Sequence, residues 1–351
     1  YIGTGNQITV DNGIDISTDG GLVWIKRRNS YGHFWFDTER GTTEALSPNT
    51  TNAEFTESNG VNNFNSTGYK IGTNGTSDGA FNATDKEYQS YTFKKQAGFF
   101  DIVKYNGNSE TAFNVSHSLG VKPGAILIKS LDSSTKWYWW SKGMDTNQNL
   151  KFNTNSEIST DSNYDIGSNL TSTTFEVPAG SEVNYSNEGY IAYLWADGDE
   201  ADAQIFGESG DKPLIKTGMY TGTSGHNDIN IGFEPQWLLI KRFDPGETEH
   251  WFVFDTFKGW ANSRPQATKI QKITAQGEFY ESSSMSFTPT PTGFRFESGR
   301  SDYNGHAGKY VYMAIRRPDN FVAKPETDAT KLFHMVVGQS TTAKPDFLTP
   351  F

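Results

Sequence analysis

Residues 236–243, QWLLIKRF, form an almost unbroken apolar run that closes in charge. Its length suits a buried strand rather than a helix. DPGETE follows as a turn, with Pro and Gly setting the backbone angles. HWFVFDTF then alternates, with Trp251, Val253 and Asp255 on one side and Phe252, Phe254 and Thr256 on the other. Together these predict a hairpin, and TGFRFES and KYVYMAI alternate as further strands. No segment keeps a 3.6-residue period over three turns. The best helical candidate, KGWANSRPQAT at 258–268, is limited by Pro265.

The same order of elements occurs three times. Each copy opens on Tyr-x-Gly, at Tyr1, Tyr105 and Tyr220, spaced 104 and then 115 residues apart. An aliphatic run ending Ile-Lys follows, closing at Lys26, Lys129 and Lys241. Next come the aromatic strands HFWFD, KWYWW and HWFVFD, and later STGYKIG, STTFEV and PTGFRF. Each copy closes on a Tyr-rich strand: KEYQSYTF, GYIAYLW and GKYVYMAI. A period of this length is too long for a solenoid unit and right for a domain. The expected organisation is therefore three β-sandwich beads on a string, at 1–98, 99–214 and 215–320. Residues 321–351 form a linker and the start of a fourth copy, where Val337-Gly338 stands about where Tyr-x-Gly is due and Pro345 matches Pro123 and Pro235. The expected fold class is all-β, tandem antiparallel sandwiches of the jelly-roll kind, each burying its own aromatic core.

Composition sharpens this picture. Aromatics make up 14% of the chain and charged residues 20%, a profile of strands joined by polar turns. A formal charge of −11 argues against a nucleic-acid partner. No apolar run approaches the ~18–20 residues of a membrane span, and no basic, apolar leader opens the chain. Tyr1 and Phe351 read as the ends of a segment of something longer. With no cysteine, disulfides and thiolate metal sites are excluded.

Candidate chemistry is sparse. The six histidines show no metal-binding helical spacing; His33 and His250 occupy matching places at the aromatic strand, where the second copy has Lys136. Glu200 and Asp202 have the first spacing of a glycosidase acid pair but no third acid, and the run DGDEADAQ reads as a linker. Asp197, Asp199, Glu200 and Asp202 offer oxygen ligands of the kind calcium takes, without the spacing and central Gly of an EF-hand loop, and a calcium site there stays open. Asp37 and Asp255 match between copies, with Ser141 in the second, and read as turn acceptors. Lys26-Arg27-Arg28 reads as a solvated strand end. In WYWW, Trp137 and Trp139 face one side, Tyr138 and Trp140 the other. One face is core; the other packs on a neighbouring domain or subunit, or stacks on sugar rings, which makes Trp139 and Trp140 the candidate ligand-binding residues. No catalytic residue, metal or cofactor is assigned.

Several of these features occur together in one known repeat. Tyr-x-Gly, then Pro before an aliphatic strand ending Ile-Lys, then an aromatic strand leading into Asp-Thr-x-(Arg/Lys)-Gly, resembles a tandem repeat of bacteriophage virion proteins, typical of phages of marine bacteria. FDTERGTTEALSPNTTNAE, GVNNFNSTGYKIG and GKYVYMAIRRPDN carry the likeness, which covers essentially the whole chain and is weakest in the second copy. The resemblance implies concanavalin A-like jelly rolls on phage tails or fibres, and no catalytic residues. The expectation is a non-enzymatic virion protein, assembled in the bacterial cytoplasm. It would contact other virion proteins, itself (a trimer among the options) and a host-surface glycan. The alternatives are a capsid decoration protein and a secreted glycan-binding or glycan-cleaving protein.

Overall fold

The computed structural model describes residues 1–28, 31–73, 80–180, 182–207, 209–256, 268–273, 280–282 and 287–317, the pieces 268–270 and 280–282 through their backbone. The helix candidate at 258–268 and the fourth-copy start at 321–351 lie outside these residues, apart from Thr268 in a strand.

Three strand groups succeed one another along the chain. The first holds β1 (Ile8–Asp11), β2 (Gly21–Arg27), β3 (His33–Asp37), β4 (Glu44–Ala45), β5 (Phe55–Thr56), β6 (Val61–Asn65), β7 (Gly68–Ile71) and β8 (Tyr88–Lys94). The second holds β9 (Phe100–Asn106), β10 (Phe113–Ser116), β11 (Pro123–Ser130), β12 (Tyr138–Ser141), β13 (Gln148–Lys151), β14 (Ser159–Thr160), β15 (Thr174–Val177) and β16 (Gly189–Ala196). The third holds β17 (Ile215–Thr221), β18 (Asn227–Asn230), β19 (Pro235–Arg242), β20 (Phe252–Asp255), β21 (Thr268–Lys272), β22 (Tyr280–Ser282), β23 (Phe287–Thr290), β24 (Gly293–Phe296) and β25 (Lys309–Arg316).

Every pairing between these strands is antiparallel, and the fold is all-β, built of packed sheets. The second and third groups have large sheets of the same order, β14-β13-β12-β11-β16-β9 and β22-β21-β20-β19-β25-β17. The first has β3-β2-β8, with Leu46 bridging Trp35 beside it and the β4-β5 ribbon beyond. Smaller sheets, β1-β7-β6, β10-β15 and β18-β24-β23, complete the groups.

Register aligns the copies residue by residue. Leu22 lies opposite Asp37, Ala125 opposite Ser141 and Trp237 opposite Asp255. Counting back from Asp37, Ser141 and Asp255 brings His33 level with Trp137 and Trp251. The expected match of His33 with His250 is therefore one residue out, because the HWFVFD strand is one residue longer before its Asp.

The Tyr-x-Gly signature is explained by packing. Tyr1, Tyr105 and Tyr220 stack on Tyr88, Tyr190 and Tyr310, with centroids 4.9, 5.1 and 4.9 Å apart and planes within 12°. Each opening tyrosine donates its hydroxyl to a backbone carbonyl, of Phe81, Val183 and Tyr303. The glycine two residues on allows backbones to meet: a Cβ on Gly3, Gly107 or Gly222 would stand 2.1–2.3 Å from a carbonyl oxygen.

The Ile-Lys lysines correct another expectation. Lys26 is not solvated; it is 2% exposed, and Lys129 and Lys241 are fully buried. Lys129 Nζ donates to the carbonyls of Ser130 (2.7 Å) and Ser133 (2.8 Å), and Lys241 Nζ to that of Glu249 (2.6 Å). Each ammonium therefore satisfies hairpin carbonyls that burial would otherwise leave unbonded. Burial lowers both lysines to about 8, with nearby glutamates opposing the shift.

Candidate functional site

The large sheets are buried on both faces. In β19, Leu238 and Ile240 turn into the third group's own core with Phe252, Phe254, Phe287 and Phe294, while Trp237 and Leu239 turn the other way. In β2, Val23 and Ile25 face Phe36 and Tyr69, while Leu22 and Trp24 face outward from that core. These second faces meet in one continuous aromatic core drawn from all three groups. Self-contained beads on a string do not describe this body: the strand groups close on each other.

The closure is cyclic. From one equivalent position in each group, a ring nitrogen reaches a backbone carbonyl of the neighbouring group. Trp137 Nε1 donates to Thr50 O (3.0 Å) and Trp251 Nε1 to Lys151 O (3.0 Å). His33 Nε2 stands 3.1 Å from Lys272 O. Trp24 Nε1 donates to His33 Nδ1 at 2.9 Å, which leaves Nε2 as the donor. So second binds first, first binds third, and third binds second. This heterologous pattern closes after three steps, as a ring does.

A second set of bonds follows the same sense. Tyr193 on β16 gives its hydroxyl to Asp37 Oδ2 of the first group (2.8 Å). Tyr91, at the same place on β8, gives its hydroxyl to Asp255 Oδ2 of the third (2.6 Å). Asp37 also accepts from the backbone of Glu39 and Arg40, as the turn reading expects, and from Arg40 Nε at 2.6 Å. Both charged side chains are fully buried, and Arg40 spends its other donors on the carbonyls of Trp35 and Glu44 and on Glu54. Burial holds the Tyr91 and Tyr193 phenols well above the usual tyrosine range; Asp255 adds to the first, while Arg40 opposes and Asp37 adds to the second. At the third joint the equivalent residues are Met313 and Ser141, which cannot make this bond.

WYWW sits at the middle of this arrangement. Trp137 packs edge-on against Trp35 (5.4 Å), and Trp139 contacts Phe152, Trp195 and Trp251 at 5.2–5.9 Å. On the other face Tyr138 stacks on Tyr164 at 4.4 Å, and Trp140 lies over Gly167, where a Cβ would come within 2.6 Å of the indole. Trp139 is 2% exposed and Trp140 7%, so neither presents a face on which a sugar could stack. Trp139 packs between groups, against Trp251, while Trp140 packs within its own group, against Gly167 and with its indole N–H on Asp145 O.

The acids near residue 200 are held by lysines. Lys142 Nζ pairs with Asp197 and with Asp199 (3.2 Å), and Lys216 Nζ with Asp199 (2.5 Å). Glu200 and Asp202 belong to a single helical turn, with no third carboxylate near enough to form a metal cluster among the described residues. His117 is buried and its imidazole lowered by that burial. His226 is exposed on the third small sheet between Asp228 (3.0 Å) and Glu297 (3.2 Å), which raise it. Among the described residues no helix is long and apolar enough to cross a membrane.

Three asparagines escaped the sequence reading. Asn82, Asn184 and Asn304 are almost wholly buried. Each donates to a carbonyl in the chain before its closing strand, of Gly72, Pro178 and Ser298, and accepts a backbone N–H from just after Tyr-x-Gly: Thr4, Asn108 and Thr223. The signal was present, since each stands six residues before the stacked closing tyrosine.

Clefts open at the joints. One of about 390 Å³ lies between β8 and β19, bordered by Tyr91, Phe93, Phe99, Trp237, Asp255 and Ile315. Another of about 380 Å³ lies between the second and third groups, near Gly143, Met219 and Phe243.

The class defined by these features is an all-β protein whose three sandwich-like strand groups share one aromatic core. The chain belongs to the family described as Domain of unknown function (DUF7483), whose model matches residues 1–318, ending just beyond β25. No curated protein and no solved structure matches it.

Proposed function

We propose that this chain is a non-enzymatic structural component of a bacteriophage virion, a tail or fibre appendage of tandem jelly-roll units that meets the host surface. The observation that supports this reading is the closure of three strand groups through inward-facing aromatic sheets. The large apolar surfaces are spent on rigidity, and the small sheets and loops are left to face outward. β1, β10 and β18 alternate between covered and exposed positions, so each group keeps a polar outer face. On the third group that face carries His226, Asp228, Arg295 and Glu297 in one exposed network. Contact with a host glycan would rest on such polar faces and on loops, since Trp139 and Trp140 are inside. A fused array of three outward faces also multiplies weak contacts.

The test is peptide mass spectrometry of purified virions, followed by immunogold labelling with an antibody to this chain. Peptides in the particle with gold at the tail support the proposal. Gold on the head replaces it with the capsid decoration reading. Absence from purified particles overturns it.

A further inference from the structure

The joint between the second and third groups opens as it runs outward. On β17, Thr217, Met219 and Thr221 share the side turned to the second group. Thr217 is buried, its hydroxyl where a Cβ on Gly124 would come to 2.3 Å. Met219 lies over Gly143, where a Cβ would stand 2.7 Å from its Cε, yet it is 43% exposed, and Thr221 is exposed too. At this end lies the cleft of about 380 Å³, with Asp145 and Gln148 on the second group's wall and Phe243 and Lys309 on the third's. Its volume is in the range of small-molecule sites.

Both walls are braced. Asp145 N donates to Gln148 Oε1 (2.9 Å), and Asp145 O accepts from Gln148 N (3.0 Å) and from Trp140 Nε1 (3.3 Å). Across the cleft Lys309 N donates to Asp244 Oδ2 (2.8 Å) and Phe243 N to Lys309 O (3.0 Å). A site held this way loses little freedom when a ligand enters. The two charged ends are left over: among the described residues, neither the Asp145 carboxylate nor the Lys309 ammonium has an ion-pair or hydrogen-bond partner. The equivalent joint between the second and first groups lacks these groups. By register Met219 matches Lys104 and Lys309 matches Gly189, and two residues on from Gly143 and Gly41, Asp145 matches Thr43.

This set of groups selects a class of ligand. A polyanion gains Lys309 and meets Asp145, and a polycation does the reverse. A neutral sugar ring uses both: its hydroxyls donate to the carboxylate and accept from the ammonium and from the Gln148 amide, and its C–H face covers Met219. We infer that this cleft binds a neutral saccharide unit, an inference that rests on the host-contact reading for the source of the sugar and on the cleft for its chemistry.

The chain has five methionines, so isotope-labelled methionine methyls followed by NMR report on the cleft with few signals. Met219→Leu identifies the Met219 signal, and Met313, 1% exposed at the same joint, is the internal control. The probes are maltose, cellobiose, lactose and diacetylchitobiose, titrated to high millimolar concentration. At least one should shift the Met219 methyl saturably while Met313 stays fixed. Asp145→Ala and Lys309→Ala remove exposed side chains that bond to nothing in the fold, so each variant should melt like the parent while its apparent Kd for that sugar rises at least fivefold. No saturable shift with any probe overturns the inference. So does a shift that survives both substitutions together, or tighter binding of glucuronate than of every neutral sugar. The place of the chain in virions is read separately, from purified particles, so failure here and failure of the host-contact reading stay distinct.

Discussion

The joint where the second group binds the first and the joint where the third binds the second are built on the same plan and differ at one bond. Both use an indole N–H from the start of the aromatic strand to a backbone carbonyl, at 3.0 Å in each. At the first, Tyr193 also reaches Asp37; at the second, Met313 and Ser141 stand in those positions. Donor and acceptor have been exchanged together. That is what physics asks of a buried seam: a lone carboxylate or a lone phenol there would cost more than the bond gives. The conserved part of the plan is aromatic area, and the hydrogen bond is an addition that two joints have and one does without.

The strongest way to break this comparison is Asp37→Ala. It strips Arg40 of its buried partner and Tyr193 of its acceptor at once. Leaving a buried guanidinium wholly uncompensated typically costs about 3–5 kcal/mol, and Glu54, still 3.2 Å from Arg40, holds the loss toward the lower end of that range. Urea unfolding should show a loss of this size, and a loss under 1 kcal/mol would mean that Arg40 finds water at the seam. Tyr193→Phe and Tyr91→Phe remove one hydroxyl each and keep the ring packing. A cost of about 1–2 kcal/mol is expected for each. Met313→Phe, which removes no hydroxyl, serves as the control for ring size.

The buried hairpin lysines make stability depend on pH in the same way in both places. Lys241 at the second–third joint lies under the hairpin loop, with Nζ near Asn155 O of the second group (3.4 Å), and Lys129 lies under the equivalent loop. Both are lowered to about 8 in the folded protein. Between pH 8 and the ordinary lysine range, the unfolded chain therefore holds protons the folded one has released, and stability rises with pH. The gain is on the order of 1 kcal/mol per lysine between pH 8 and 9. Above about pH 10 the buried phenols act in the opposite sense. Unfolded tyrosines ionise there while folded ones stay protonated, so stability falls. Denaturant midpoints from pH 7.5 to 9.5 should climb in the parent. The climb should shrink by about two thirds in K129M/K241M, leaving the part that Lys151, also lowered to about 8 by burial, contributes; at neutral pH the double variant is also weaker because Ser133 O and Glu249 O lose their donor.

Much of the fold could be read from the sequence, and the reason is local. A hairpin needs an apolar run, a turn and an alternating strand, and QWLLIKRF-DPGETE-HWFVFDTF writes all three in order. Tyr-x-Gly was visible as punctuation because stacking and backbone approach fix both residues in every copy. What could not be read was the use of the second sheet face. Trp137 and Trp139 alternate with Tyr138 and Trp140 whether the outer face meets a sugar, another chain or the next group, since apolar periodicity records burial without naming the partner. The lysines misled for a related reason. Lys26 beside two arginines looks solvated, and only the hairpin loop folded over it supplies the carbonyls that make burial tolerable.

The finest test of the comparison is to rebuild the missing bond. Ser141→Asp alone places a carboxylate in a fully buried position, and Met313→Tyr alone crowds a buried one with a hydroxyl that has no acceptor. Each should destabilise. Together they recreate at the third joint the pair that Tyr193 and Asp37 make at the first. A double-mutant cycle by urea unfolding should then give a favourable coupling of about 0.5–1.5 kcal/mol, so that the double variant is less damaged than the sum of the singles. Coupling near zero would mean that the two positions are farther apart across this seam than at the others. The cyclic relation would then hold for the backbone and the indoles but not for this pair. A favourable value would show that the three joints are interchangeable to within one hydrogen bond, which is the strongest form of the claim that one chain here closes a ring of three.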